Sequence, residues 1–299
     1  TQFGIDYHNN RDANYTPFTP RPMINQSSEG AASANNSNSL YWQEETYLTY
    51  VKNINKHHIN AMAGMSWQEY NYTKFEASDS KYIDDFYGYY NLGSGTNRPS
   101  VGNDYDKWAM NSYFLRFAYT YKDRYSATVT GRIDGSSKFG DNNKYAFFPS
   151  AGLAWNVSQE DFLKDSNLIS NLKLHTSYGL TGNSEIDPYK SLGKIKSETL
   201  LLNGTRAPYS YMETMPNPDL KWEKTKSYNL GIDFSFFQSW LSGTLEIYKK
   251  VGEDQVIQKT LAPSTGANYV AINDGDVNNS GWELSVNVNP IRGKDWNWG

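Results

Sequence analysis

SYFLRFAYTYKDRYSATVTGRID, residues 112–134, carries the pattern on which the fold turns. Tyr113, Leu115, Phe117, Tyr119 and Tyr121 share one parity; Arg116, Ala118 and Thr120 share the other, with Phe114 the exception. Lys122, Asp123 and Arg124 interrupt the run. Tyr125, Ala127, Val129, Gly131 and Ile133 then alternate with Ser126, Thr128, Thr130 and Arg132. Side chains of a strand point to opposite faces in turn, so this is a hairpin with one apolar and one polar face.

The alternation recurs along the chain. Ile59, Ala61, Ala63, Met65 and Trp67 form one apolar parity, and Phe147, Ala151, Leu153, Trp155 and Val157 another. Further sets are Leu172 to Leu180, Tyr228 to Phe236, Leu241 to Ile247 and Trp282 to Val288. Residues 40–52 and 1–7 read as two more strands. About ten strands result, most of about 8 to 14 residues. Globular strands average ~5–6 residues, whereas membrane-spanning strands need ~9–11.

Composition agrees with an all-β chain. Of 299 residues, 15% are aromatic and 24 are tyrosine, which is neither a disordered nor a helical profile. Cysteine is absent, which excludes disulfides and thiolate metal sites. With 28 basic and 32 acidic residues and no basic run, the chain offers nothing for a nucleic-acid partner. No stretch approaches 18 apolar residues, so a helical span is excluded; a barrel of short alternating spans is not.

The connections add a second signal. Long ones are expected at 8–39, 73–108, 181–224 and 252–278, and short ones at 53–56, 122–124, 237–240 and 290–295. Two intermediate ones, 134–146 and 157–170, lie between them. Antiparallel strands deliver successive connections to opposite ends, so long loops collect at one end and short turns at the other, as in outer-membrane barrels. Tyr119, Tyr121, Tyr125, Phe234, Phe236, Phe237 and Trp240 flank short turns. They read as an interfacial girdle, or as the general preference of aromatic rings for strands.

Chemistry-bearing motifs are sparse. His8, His57, His58 and His175 form no ligand set, and no cofactor is expected. Asn273 to Asn278 resembles part of a calcium loop but lacks the spacing and closing glutamate, and reads as a turn. Glu44 and Glu45 are carboxylates without a supporting pattern, and no catalysis is expected. The 73–108 connection carries Tyr82, Phe86, Tyr87, Tyr89, Tyr90, Tyr105 and Trp108, and the 181–224 connection Tyr189, Tyr209, Tyr211 and Trp222. Tyr82, Tyr87, Tyr89, Trp108, Tyr209 and Tyr211 are the candidate ligand-binding residues. Rings among Asn, Gly and Asp stack on a sugar or peptide, or pack loop against loop; both uses select the same residues.

GRIDGSSKFGDNNKYAFFPS, residues 131–150, breaks the strand pattern at Asp134 and restarts it at Phe147. It is expected to be a structural connection at the outer rim, with Asp134 to Ser137 supplying turn residues. The longer stretch RIDGSSKFGDNNKYAFFPSAGLAWNVSQEDFL, residues 132–163, resembles the SusC/RagA-type class of TonB-dependent outer-membrane transporters. LKLHTSYGLTGN (172–183), MPNPDLKWEKTKSYNLGIDF (215–234), LSGTLEIYKK (241–250) and LAPSTGANYVAINDGDVNNSGWELSVN (261–287) extend the resemblance in order.

The resemblance implies a transmembrane antiparallel β-barrel of 22 strands, of which residues 1–299 hold about ten. It implies short periplasmic turns, long extracellular loops and the outer membrane of a Gram-negative, Bacteroidota-like bacterium. The apolar parity would face membrane lipid and the polar parity the lumen. A plug domain, a TonB box and the final barrel strands are expected outside this stretch, since both ends read as cuts through strands. The implied function is TonB-dependent uptake of a bulky nutrient, an oligosaccharide first and a peptide next, with a SusD-like surface lipoprotein as partner. The rival reading is a soluble or surface-attached β-rich glycan-binding domain without transport.

Overall fold

The computed structural model describes residues 1–19, 28–82, 84–97, 99–292 and 297–298. The alternating stretches all form strands. In chain order these are β1 (Gln2–Thr19), β2 (Ser28–Ile54), β3 (His57–Ser80), β4 (Ser100–Tyr121), β5 (Tyr125–Ser136), β6 (Tyr145–Asn156), β7 (Ile169–Asn183), β8 (Lys194–Leu202), β9 (Thr205–Met215), β10 (Glu223–Phe236), β11 (Leu241–Glu253), β12 (Val256–Thr260), β13 (Ala267–Asn273), β14 (Val277–Val288), β15 (Ile291–Arg292) and β16 (Asn297–Trp298). One ten-stranded sheet has the order β1-β2-β3-β4-β5-β6-β7-β10-β11-β14. Among the described residues its end strands β1 and β14 each have a neighbour on one side only. A four-stranded sheet, β12-β13-β9-β8, is built from the long connections.

Three expectations change. β1, β2, β3 and β4 run for 18, 27, 24 and 22 residues, so 8–19 and 28–39 of the first expected loop and 73–80 and 100–108 of the second are strand. Alternation of apolar residues ends where a strand meets water, but backbone pairing continues past that point. Asp134 is also no turn residue. It lies within β5 opposite Ser112 and Ala146, is buried, and accepts a 2.6 Å bond from Arg132 Nε. The connection therefore shrinks to 137–144. Residues 20–27 of the first expected loop and 293–295 of the expected 290–295 turn lie outside the described residues.

The chain divides into two compact units, residues 1–44 with 67–109 and residues 45–66 with 110–299. In the first, β1 and the adjoining lengths of β2, β3 and β4 carry the 81–99 connection, and Lys81 N–H donates to Gly30 O.

In the second unit, side chains line up in rows across the sheet. Tyr119, Ala127, Leu153, Thr176, Leu230, Ile247 and Trp282 stand opposite one another on seven successive strands. Leu153, Leu230 and Trp282 are 60%, 54% and 70% exposed. Such a broad uncovered apolar face suits hydrocarbon, not a protein core. The opposite face is polar: the His175 ring lies 3.6 Å from the Asp233 carboxylate and 3.5 Å from that of Glu246.

The short turns of this unit are tied together. Lys122 N–H donates to Lys56 O, Asn156 N–H to Arg124 O, Phe237 N–H to Leu168 O and Asn289 N–H to Trp240 O. The 157–168 connection belongs to this end. Its Glu160 is buried and collects Arg124 Nη1 at 2.8 Å, Trp155 Nε1 at 3.0 Å and the Tyr125 hydroxyl. The Tyr125 and Trp155 rings stack at 6.3 Å, so the two aromatics keep their polar tips on one carboxylate. Those donors, Tyr125 first and then Trp155, with Arg124 adding its charge, hold the Glu160 carboxyl below its ordinary range.

At the other end the 137–144 connection packs against residues 216–222. Phe139 and Leu220 are 1% and 0% exposed, and Phe139 and Phe148 enclose Trp222 at ring distances of 4.6 and 5.5 Å. Gly140 N–H donates to Leu220 O at 2.9 Å and Asn142 N–H to Pro218 O at 3.1 Å. A Cβ on Gly140 would lie 2.1 Å from Pro218 O, which is why the approach requires glycine. Asn273 extends the clasp, accepting from Lys221 N–H and donating to Lys221 O and Asp254 O.

Candidate ligand-binding site

The β8–β9 hairpin turns on Asn203 and Gly204, both at positive φ, the mirror-image turn that matches strand twist. Its register places Glu198 opposite Tyr209 and Lys196 opposite Tyr211. The two tyrosine rings stack at 5.8 Å with planes 19° apart. Their hydroxyls donate to the two oxygens of Glu198, at 2.8 Å from Tyr209 and 3.3 Å from Tyr211. Lys196 Nζ lies 3.0 Å from Glu198 and 3.9 Å from Glu213, and Lys194 Nζ 3.3 Å from Glu213. The Lys196 contact, then the Tyr209 bond, keep Glu198 below the usual carboxylate range; the same bond raises Tyr209. Two flat rings with their hydroxyls held, edged by alternating charges, make a rigid stacking platform.

The four remaining candidates lie in the other unit and each pairs with rings outside the candidate set. Tyr82 is 5% exposed, packs edge-on against Tyr15 and donates to Leu92 O. Asp85 accepts from the Tyr15 hydroxyl, which pushes that phenol up to about 12. Tyr87 is exposed and meets Phe86 edge-on at 4.8 Å. Tyr89 leans on Tyr90 at 4.4 Å, and their hydroxyls are 3.0 Å apart. Trp108 joins a ladder with Tyr70 at 5.9 Å and Tyr41 at 6.2 Å.

Trp222 packs in the loop core with its Nε1 on Lys144 O, which decides its role for packing. Among the described residues no group of three or more His, Cys, Asp or Glu is placed to hold a metal ion. Glu198, Lys196 and Glu213 were missed because lone charges in a loop carry no pattern. The Asn203–Gly204 pair was the available signal for the hairpin that aligns them.

The family model described as TonB dependent receptor-like, beta-barrel, matches residues 1–299. The chain belongs to the TonB-dependent receptor family. Among curated relatives, TonB-dependent receptor P26 of Formosa agariphila is 33% identical over 298 residues, covering 99% of this chain and 30% of the relative. TonB-dependent receptor SusC of Bacteroides thetaiotaomicron is 31% identical over 268 residues, covering 84% of this chain and 25% of SusC. A solved structure titled as that of the RagAB peptide transporter matches with a TM-score of 0.86 and 27% identity over 99% of this chain and 32% of that one. The chain thus spans about a quarter to a third of the length of these proteins. It is a segment of a SusC/RagA-type TonB-dependent receptor barrel in the bacterial outer membrane. The short turns are periplasmic, the long connections extracellular, and the uncovered apolar rows face lipid. The family is one of receptors and transporters, and the Tyr209–Tyr211 platform rises from one of the receptor's extracellular connections.

Proposed function

We propose that residues 1–299 form part of the barrel domain of a receptor that imports a bulky nutrient across the outer membrane, driven through TonB. The first substrate class is an oligosaccharide. The carrying observation is the Tyr209–Tyr211 pair with both hydroxyls on Glu198, since parallel rings edged by fixed polar groups suit the flat apolar face and hydroxyl rim of a sugar. In the other unit, exposed Tyr87 and half-buried Tyr89 supply further ring surface, Trp108 stands in its own aromatic ladder, and buried Tyr82 supports the connection from within. A SusD-like surface lipoprotein is the partner that would present the ligand. The likeness to a structure titled as a peptide transporter favours peptide as the second substrate class.

Calorimetric titration of the complete receptor with its lipoprotein tests this. Oligosaccharides should bind saturably, and Tyr209→Ala with Tyr211→Ala should weaken binding about tenfold, ~1.4 kcal/mol. Binding of peptides of matched size with no oligosaccharide binding would replace the first class by the second. Binding of neither would end the reading. A complete protein that is monomeric and folded without detergent would favour the surface-attached glycan-binding alternative.

A further inference from the structure

The apolar runs of β11 and β14 end along one row, and that of the neighbouring β10 ends one step beyond it. On β10 the lipid-facing side chains are Phe236, Phe234, Ile232, Leu230 and Tyr228, and then Lys226. On β11, Leu245 and Ile247 give way to Lys249. On β14, Val286, Leu284 and Trp282 give way to Ser280. Lys249 stands directly opposite Tyr228 on one side and Ser280 on the other, and Tyr228 stands opposite Tyr178, its ring 5.0 Å away. Eight residues separate Lys249 from Leu241 at the periplasmic turn. At ~3.3 Å per residue and ~40° of tilt this is about 20 Å of height, near the top of an apolar band ~25 Å tall. The row therefore marks the extracellular boundary between hydrocarbon and water.

Just beneath it the surface is recessed. A groove of about 570 Å³ runs between Ala151, Leu153, Leu230 and Ile247, with Tyr228 and Lys249 at its rim. Ala151 opens it, because it is the small side chain in the register row between Val129 and Tyr178. Lys226 is held 2.6 Å from Glu253, whereas Lys249 is exposed and has no ion-pair partner among the described residues. At the hydrocarbon edge the Lys249 ammonium reaches the headgroup layer at little cost, where it is open to an anion that the membrane itself presents. An acyl-sized apolar groove directly below it narrows the anion to one carried by a lipid.

The geometry points to a binding site for a phosphate-bearing lipid of the outer leaflet on the β10–β11–β14 surface. One acyl chain lies in the groove over Ala151 and Leu230. The phosphate meets Lys249, flanked on the same face by the Tyr228 and Ser280 hydroxyls.

Native mass spectrometry of the complete receptor in detergent, titrated with monophosphorylated lipid A and with its dephosphorylated form, tests the site. The receptor should retain the phosphorylated lipid in preference. Lys249→Gln should weaken that retention about fivefold, the share one lysine contributes at an anionic surface. Lys249→Arg should preserve it, and neither change should affect the dephosphorylated form. Ala151→Trp, which fills the groove, should weaken both forms. Equal retention of the two lipids by the unsubstituted receptor would overturn the proposal, as would wild-type retention by Lys249→Gln. Heat-shifted electrophoretic migration reports folding of each variant. If Lys249→Gln does not fold, the phosphate preference of the unsubstituted receptor and the Ala151→Trp result decide.

Discussion

Single residues anchor both ends of the segment. Glu160 gathers three donors at the periplasmic end, and those donors depress its pKa. A depressed carboxylate contributes stability that is full above its unfolded value and is lost as pH falls through the folded one. Unfolding of the receptor in detergent, followed by tryptophan fluorescence, should therefore show an acid-labile component below the ordinary value of 4.5. Glu160→Gln should remove that component and lower stability at neutral pH; an unchanged acid profile would disprove the role. Phe139 anchors the extracellular end. Truncating it to alanine should cost about 3–5 kcal/mol locally. Amide exchange at Gly140 and Asn142, whose N–H groups bond Leu220 O and Pro218 O, should accelerate accordingly. Gly140→Ala should do the same without any loss of apolar area, because its Cβ has no room beside Pro218.

Among the elements, the β8–β9 hairpin is an insertion. β7 and β10 pair with each other along most of their length, so the barrel wall does not depend on the hairpin between them. Replacing residues 195–211 by a short Gly-Ser linker should leave heat-shifted migration of the receptor intact while abolishing oligosaccharide capture. Loss of the folded band would show instead that the hairpin is structural. Legibility in sequence followed the solvent. Between Tyr113 and Ile133 a bilayer on one side and a polar interior on the other impose an alternation that Phe114 and the 122–124 turn interrupt, and the strands can be read directly. Beyond the bilayer, residues 28–39 of β2 have water-facing chemistry on both parities, so a strand there looks like a loop. β8, β9, β12 and β13 were hidden for a related reason, since none of them keeps its apolar residues on one parity. Of the ligand-site candidates, Tyr209 and Tyr211 emerged as a pair because they sit two residues apart on one strand. Tyr82 and Trp222 could not be told from ligand-facing rings, since burial depends on partners such as Tyr15 and Phe139, distant in the chain.

For the whole molecule, the ten-stranded sheet presents β1 and β14 as edges. Unpaired backbone groups in hydrocarbon cost several kcal/mol each, so edges within a bilayer must be paired. Residues 1–299 expressed alone and refolded into vesicles should fail to give protease-resistant, heat-shifted material, whereas the complete receptor should succeed. Stable insertion of the isolated segment would mean that the two edges find each other or a second copy. The clasp among the 137–144, 216–222 and 273 regions has a thermodynamic consequence for whatever the receptor captures. Three successive extracellular connections are already cross-braced before any ligand arrives, so little conformational entropy remains to be lost on binding. Titrations at several temperatures should then give a modest unfavourable entropy and a heat-capacity change no larger than the ring surface of Tyr209 and Tyr211 accounts for. Loosening the brace at Phe139 should make the same ligand bind with a larger entropic penalty, at a distance from every atom it touches.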